Sequence, residues 1–294
     1  MTLFDSPSFE GHEGVHVFFD EKTGLKNIIA VHSTARGPAA GGCRMWPYPT
    51  ADAALEDALK LSRAMSYKNA MADLELGGGK AVIIGDSRTQ KTPALFEAFG
   101  RNIEAVGGRY WTAEDVGVSP ADLMHARKHT KYVAGLDGHP AASGDPSPVT
   151  AEGVFRGVQL CVRRALNRDL DGVTVALQGV GHVGGYLAQK LHAAGARLFL
   201  TDINPQLLRE VAGRTGAKVV SPDEIFDVPA QVFAPCAMGG AVNADTLGRL
   251  QAKVIAGAAN NQLADPEVGR VLFERGVLYA PDYVINGGGI INVA

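Results

Sequence analysis

Val173–Asp202 reads VTVALQGVGHVGGYLAQKLHAAGARLFLTD. VTVALQ is an apolar run of strand length, and GVGHVGG follows it at once. Gly179, Gly181 and Gly184 fit G-x-G-x-x-G. Val183, Leu187, Leu191 and Ala194 then recur at helical spacing, Gly195 stops the helix, and RLFLTD is another strand. It closes on Asp202, about 20 residues beyond the glycines, as the dinucleotide fingerprint requires. Glycines let a pyrophosphate approach the backbone, the helix N-terminus stabilises its charge, and Asp202 accepts hydrogen bonds from ribose hydroxyls. A carboxylate there repels a 2′-phosphate, so NAD is favoured over NADP. The expected cofactor-facing residues are Gly179, Val180, Gly181, His182, Val183, Gly184, Asp202 and Ile203.

The flanking sequence continues the alternation. Residues 217–220, 232–234, 254–256 and 277–280 read as short strands with helical segments between several of them. Two strand ends carry loops, APCAMGG (Ala234–Gly240) and AGAANNQL (Ala256–Leu263). Cys236, Ala237, Ala258 and Asn260 are expected beside the nicotinamide ribose, while Asn260 and Asn261 supply amides or simply form a turn. Upstream, Gly138–Pro148, GHPAASGDPSP, reads as a linker. Thr150 is expected to open a helix with Val154, Val158, Cys161 and Ala165 on its inner face. The fold class is therefore α/β with two domains: a mixed α/β domain over 1–135 and a Rossmann-type NAD-binding domain over 136–294, with a cleft between them.

In the first domain, Met65–Asp86, MSYKNAMADLELGGGKAVIIGD, places two lysines in unusual settings. Leu55, Ala58, Leu61, Met65, Lys68 and Ala72 share one helix face, so Lys68 lies among apolar residues, either snorkelling or facing an anion. Lys80 follows three glycines, read here as a tight turn that aims the lysine into a cleft before the strand AVIIG. A P-loop is excluded, because Lys80 precedes Ala81 and a strand rather than Ser or Thr and a helix. Val15–Phe19 and Leu25–His32 read as paired strands whose free edge hints at self-association. Arg36–Tyr48, RGPAAGGCRMWPY, reads as a loop in which Gly41 and Gly42 leave room for a substrate, or which merely covers the next helix. Thr92 and Pro93 begin a helix, and Arg109–Thr112 is a strand leading to Glu114 and Asp115. Asp115 is placed either to exchange protons with a substrate or to cap the next helix.

Composition narrows the function classes. The 294 residues suit two domains, and 46% hydrophobic residues suffice for two cores. A net charge of −3 and no basic-aromatic run disfavour nucleic acid. No apolar stretch is long enough to span a membrane, and the N-terminus has no signal-peptide pattern. Three scattered cysteines read as reduced thiols of a cytoplasmic protein. His12 with His16, and His125 with His129, lack a completing ligand, so no metal is expected.

GPAAGGCRMWPY, MSYKNAMADLELGGGKAVIIGD, WTAEDVG, the glycine triplet ending at Asp202, APCAMGG, GAANNQLAD and YAPDYVINGGG together resemble the leucine, phenylalanine and valine dehydrogenases of the glutamate dehydrogenase superfamily. The resemblance implies that Lys68 holds the substrate carboxylate. It makes Lys80 the catalytic lysine, and Asp115 the acid that exchanges protons with the amino group. It places Gly41, Gly42 and the Asn260–Asn261 loop beside substrate and nicotinamide, and Thr150 against the carboxamide. The implied reaction converts an L-amino acid, NAD and water into a 2-oxo acid, ammonium and NADH. Two neighbouring lysines depress each other's pKa, which suits one of them to acid-base work, and domain closure would exclude water.

The same resemblance surrounds the substrate side chain with Ala40, Ala113, Ile290 and Val293, implying an apolar amino acid, branched-chain or aromatic. Its partners are thus a small-molecule substrate and other copies of itself, with no nucleic acid and no membrane. Relatives in the family continue past INVA, so the chain reads as cut off at Ala294, with the return to the first domain missing. A non-catalytic NAD-binding sensor or partner subunit is the rival reading, and joint retention of Lys68, Lys80 and Asp115 argues against it. An opine- or folate-type dehydrogenase leaves both lysines unexplained.

Overall fold

A computed structural model describes residues 3–136 and 145–293. These fall into two compact units, residues 3–136 and Asp145–Asn292. The expected boundary between residues 135 and 136 falls just before the stretch left undescribed, and Leu136 packs in the core of the first unit; most of the Gly138–Pro148 linker lies outside the described residues.

The first unit is built on a mixed sheet. β1 (Gly14–Asp20) and β2 (Leu25–Ser33) form an antiparallel hairpin. β3 (Ala39–Ala40), β4 (Cys43–Trp46), α1 (Ala51–Met71), β5 (Gly77–Ile84), α2 (Pro93–Ala105), β6 (Tyr110–Trp111) and α3 (Pro120–Ala126) follow. The sheet runs β1-β2-β5-β3-β6, with β4 also beside β5. Two sequence expectations are overturned. Arg36–Tyr48 is not one open loop, because its apolar alternation lets β3 and β4 lie parallel to β5. Nor do the three glycines before Lys80 turn: Gly77–Gly79 are the first residues of β5 itself, all buried.

β2 and β5 are covered on both faces. Ile28, Ala30 and Val82 pack under α1, while Ile29, Val31, Ala81 and Ile83 pack under α2 and α3. Thr50 caps α1, Thr92 caps α2 with Pro93 in its first turn, and Ser119 caps α3 in a reciprocal box with Asp122. Phe96, Phe99 and Ile103 of α2 are at most 1% exposed. Each buried side chain of this kind stabilises by about 1.5–3 kcal/mol, against tenths from helix propensity, so packing holds α2.

The second unit is a doubly wound parallel sheet in the order β12-β11-β10-β7-β8-β9. Its strands are β7 (Thr174–Gln178), β8 (Arg197–Thr201), β9 (Lys218–Val219), β10 (Val232–Pro235), β11 (Val254–Ile255) and β12 (Leu278–Tyr279). Counted from β7, this is the 3-2-1-4-5-6 order of dinucleotide-binding folds, whose switch point lies between β7 and β10. The helices are α4 (Ser147–Leu166), α5 (His182–Ala193), α6 (Pro205–Thr215), α7 (Ala244–Leu247), α8 (Pro266–Glu274), α9 (Asp282–Ile285) and α10 (Gly288–Val293). α4 begins at Ser147, three residues before Thr150, with Pro148 in its first turn. Its inner face is Ala151, Val154, Val158 and Val162. Cys161 is only half-buried and Ala165 is exposed, because the face drifts at 3.6 residues per turn.

Candidate active site

In the first unit β3 and β4 share one edge of β5 and are separated by Gly41 and Gly42. β3 pairs with Gly77–Gly78 and β4 with Ala81–Ile84, so the break lies level with Gly79 and Lys80. The segment after β6 borders the same strands: Gly41 donates to Trp111 O at 3.1 Å and Cys43 to Ala113 O at 2.8 Å. Asp115, which follows that segment, forms an ion pair with Lys80. The Lys80 side chain is 5% exposed and that of Asp115 15%. Asp115 does not cap α3, a role Ser119 fills.

Gly41 and Gly42 do their work against the protein's own backbone. A Cβ on Gly41 would collide with Gly79 O, and one on Gly42 with Glu114 O. The room expected there for substrate is, on those sides, filled by chain. Tyr110, fully buried, donates to Gly41 O at 2.7 Å and holds the break shut from below. Ala40 is buried and Ala113 half-buried, so Ala40, Gly41, Gly42, Lys80, Ala113 and Asp115 come together. Lys80 shares its strand face with Gly78 and Val82, the face covered by α1. Lys68 on α1 is half-buried rather than buried; Asn69 takes the inner position and donates to Gly77 O at 2.5 Å.

The charge facing Lys80 is a carboxylate. Burial pushes the Asp115 carboxyl up, but the charges of Lys80 and Arg44 outweigh it and hold it well below the usual range. Arg44, on β4, also pairs with Asp57 at 2.9 Å. Asp57 in turn accepts from the Tyr48 hydroxyl. Sequence reasoning missed Arg44 because it lay in a stretch read as loop. The alternation of buried Cys43 and Met45 with Arg44 and Trp46 was the signal for a strand.

In the second unit the glycine fingerprint takes its expected geometry. Gly179 has φ +93° and a Cβ there would meet Ala237 N at 2.8 Å. A Cβ on Gly184 would strike Gly179 O, whereas one on Gly181 would meet nothing within 4 Å. Two glycines thus let turn and helix close, and the middle one leaves open space where a pyrophosphate would lie. Gly181 is the N-cap of α5 and supplies no side-chain acceptor, so the first-turn N–H groups have no capping oxygen from it. These residues fit a dinucleotide. His182 is exposed, Val183 half-buried and Val180 fully buried. Ile203 is 92% exposed.

Asp202 follows β8 and accepts Val180 N–H at 2.7 Å on one oxygen and Asn204 N–H at 2.8 Å on the other. A carboxylate oxygen has two lone pairs, so each retains one for a ribose hydroxyl. Cys236 follows β10 and its Sγ accepts Ala258 N–H at 3.4 Å, joining the loops after β10 and β11.

Asn261 sits in the left-handed region at φ +50°, and its backbone N–H donates to Asp282 Oδ2 at 2.6 Å. Asn260 Oδ1 accepts from Asn286 Nδ2 at 2.9 Å, and Asn286 also donates to Ala258 O at 3.0 Å. Buried Asp282 and Asn286 at the two ends of α9 therefore fix this loop. Neither was singled out from sequence, although Pro281-Asp282 is a helix-start signal. Thr150 Oγ1 donates to Pro146 O at 2.9 Å within α4. Ile290 is half-buried in α10, and the Val293 backbone ends the same helix.

Comparison with known proteins finds relatives along the whole chain. Residues 13–132 match the family described as Glu/Leu/Phe/Val dehydrogenase, dimerisation domain, and residues 200–294 match glutamate/leucine/phenylalanine/valine dehydrogenase. Leucine dehydrogenase of Geobacillus stearothermophilus is 50% identical over 295 residues, covering 100% of this chain and 80% of that one. Phenylalanine dehydrogenase of Bacillus thermotolerans is 46% identical, with 100% and 78% covered. The crystal structure of L-tryptophan dehydrogenase from Nostoc punctiforme superposes with a TM-score of 0.75 at 44% identity, covering 96% of this chain and 81% of that one. The chain belongs to the glutamate, leucine, phenylalanine and valine dehydrogenase family.

Proposed function

We propose that the protein oxidatively deaminates an apolar L-amino acid to its 2-oxo acid with NAD, and catalyses the reverse reductive amination. The observation that carries the reading is the buried Lys80–Asp115 pair at the β3–β4 break. A buried pair of this kind costs desolvation that a purely structural role repays poorly. Proton exchange with a substrate amine and with water gives both members a use.

Each residue then has one task. Lys68 holds the substrate carboxylate. Asp115, an anion, takes a proton from the substrate ammonium. NAD, when bound, accepts the hydride from Cα. Lys80, once its own proton has passed to solvent, removes a proton from the water that attacks the resulting iminium carbon. Asp115 returns its proton to the nitrogen, the C–N bond breaks as the carbonyl forms, and the departing ammonia takes the hydroxyl proton to leave as ammonium, while Lys80 passes the water proton to solvent. Gly179, Gly181 and Gly184 hold the pyrophosphate, and Asp202 the ribose. Val180, His182, Val183 and Ile203 border that part of the cofactor, while Thr150, Cys236, Ala237, Ala258 and Asn260 border the nicotinamide end. Gly41 and Gly42 lie beside the substrate.

Ala40 and Ala113 border the substrate side chain in this reading, and both disfavour a charged substrate. One or two methylenes decide about 1–3 kcal/mol, so ring-bearing and branched substrates compete closely. β1 is an edge strand with Val17 73% and Phe19 65% exposed, and the region matches a family described as a dimerisation domain. We assign it to contact with another copy, in the cytoplasm where free thiols persist.

NADH formation at alkaline pH with leucine, valine, phenylalanine, tryptophan and glutamate tests the proposal. Turnover with an apolar amino acid and none with glutamate is expected. Lys80→Ala should lower kcat by at least about a hundredfold with NADH binding retained. A near-normal rate in that variant would remove Lys80 from the chemistry.

A further inference from the structure

Arg44 makes an arrangement that the reaction above does not use. Its guanidinium is 12% exposed and lies between two carboxylates, Nη1 2.9 Å from Asp57 Oδ2 and Nε 3.7 Å from Asp115 Oδ2. Asp57 and the Tyr48 hydroxyl fix its far side. Arg44 Nε is buried and makes no hydrogen bond among the described residues. It is a donor facing Asp115 just beyond bonding distance, while Lys80 occupies the same carboxylate oxygen.

We propose that Arg44 is a positioning residue that keeps Asp115 ionised when Lys80 gives up its charge, so that the two catalytic groups do not share one proton. The inference rests on the proposed roles of Lys80 and Asp115. If Lys80 becomes neutral during turnover, a buried carboxylate with no other cation would capture a proton itself. Arg44 cannot be deprotonated, so its charge stays constant through the cycle. A shift of a few tenths of an ångström brings Nε into hydrogen-bonding range of Oδ2 as Lys80 turns to substrate.

Three further ionisable groups beside Asp115 add no charge. Cys43 on β4, Tyr48 after it and Tyr110 on β6 are all pushed up by burial and remain neutral at working pH. Arg44 keeps its own charge because, although burial opposes it, Asp115 and Asp57 more than compensate.

The test separates this inference from the function on which it rests. In Lys80→Ala, which imitates the neutral lysine, infrared difference spectra against Asp115→Asn should show Asp115 as carboxylate at about pH 6. In Lys80→Ala/Arg44→Gln the same group should be a carboxylic acid. This readout needs neither substrate nor cofactor, so it holds even if no amino acid is turned over. In the enzyme with Lys80 intact, Arg44→Gln should move the acid limb of kcat/KM for amino acid oxidation up by about one pH unit. Arg44→Gln should also lower kcat about tenfold with little change in KM. Arg44→Lys should recover much of both. If the double variant does not fold, the pH profile of Arg44→Gln decides alone. A carboxylate that stays ionised in the double variant, or a pH profile that superposes on that of the unaltered protein, overturns the proposal.

Discussion

The glycine runs LGGGKA of the first unit and QGVGHVGG of the second are similar as sequence, and the fold uses them in opposite ways. Gly77, Gly78 and Gly79 are strand residues whose missing side chains are filled by the protein. A Cβ on Gly77 would strike Ser33 O, one on Gly78 would strike Ser66 of α1, and one on Gly79 would meet the Tyr110 ring at 2.7 Å. Gly181 has empty space where its side chain would be. The first set lets helix and sheet close around a lysine, and the other leaves a berth for a ligand. Glycine density alone does not distinguish these uses; the atom nearest the absent Cβ does.

Substitution of these positions sharpens the contrast. Gly78→Ala should have the largest effect, because its Cβ meets backbone of α1 and cannot be absorbed by a rotamer change. Loss of about 3 kcal/mol or more is expected, seen as a collapse of soluble folded protein in urea melts. A urea midpoint near that of the unaltered chain would show that α1 moves away freely. Asp115→Asn comes next: it leaves Lys80 buried without its carboxylate and should cost about 3 kcal/mol at neutral pH. Since its folded pKa is depressed, that stability exists above the unfolded value of about 4 and disappears as pH falls further. The gap between the two proteins should therefore narrow in acid; a gap independent of pH would contradict the assignment.

Gly181→Ala should do the reverse of Gly78→Ala. Its added methyl meets no atom, so stability should stay within about 0.5 kcal/mol, while NADH binding weakens about tenfold. Fluorescence titration of NADH checks this, and unchanged affinity would mean that the pyrophosphate lies elsewhere.

The smallest effect concerns the α1 side of the first unit. His12 bonds Leu59 O and Ser62, and His32 bonds Ser66, with their rings 4.8 Å apart. Burial lowers both pKa values. The unfolded chain then binds protons first, so stability is full above about pH 6.5 and declines below it. Replacing His12 with Gln should flatten that decline by about 1 kcal/mol between pH 7 and 5 in urea melts. An unaltered slope would show that His12 is protonated in place.

The second unit was legible almost residue by residue, because its signals are local: strand, glycines, helix, strand and Asp202 stand within thirty residues or so. The first was legible in α1 and α2, the second with its cap Thr92 written beside it, whereas the cap of α3 is Ser119 and not the Asp115 that the sequence offered. Its sheet was harder. β3 and β6 are two residues long, and β4 only four, so their existence depends on β5 rather than on propensity. The Lys80–Asp115 pair spans 35 positions and the Arg44–Asp57 pair 13, and no periodicity encodes either. Lys68 lies on the apolar stripe and is half-buried there, while the stripe's final inner place goes to Asn69.

The bond from Asp202 to Val180 N–H bears on redesign of the nucleotide preference. Under the proposed reading, converting the protein to accept a 2′-phosphate begins by removing the Asp202 carboxylate. That same edit deletes the acceptor that secures the glycine turn to the end of β8. A swap to Ala would confound weaker recognition with a slackened turn, whereas Ser or Asn at 202 keeps an oxygen for the amide. Preference and turn geometry are therefore one design variable here, and a useful library would vary residues 202 and 203 together with the support of Val180.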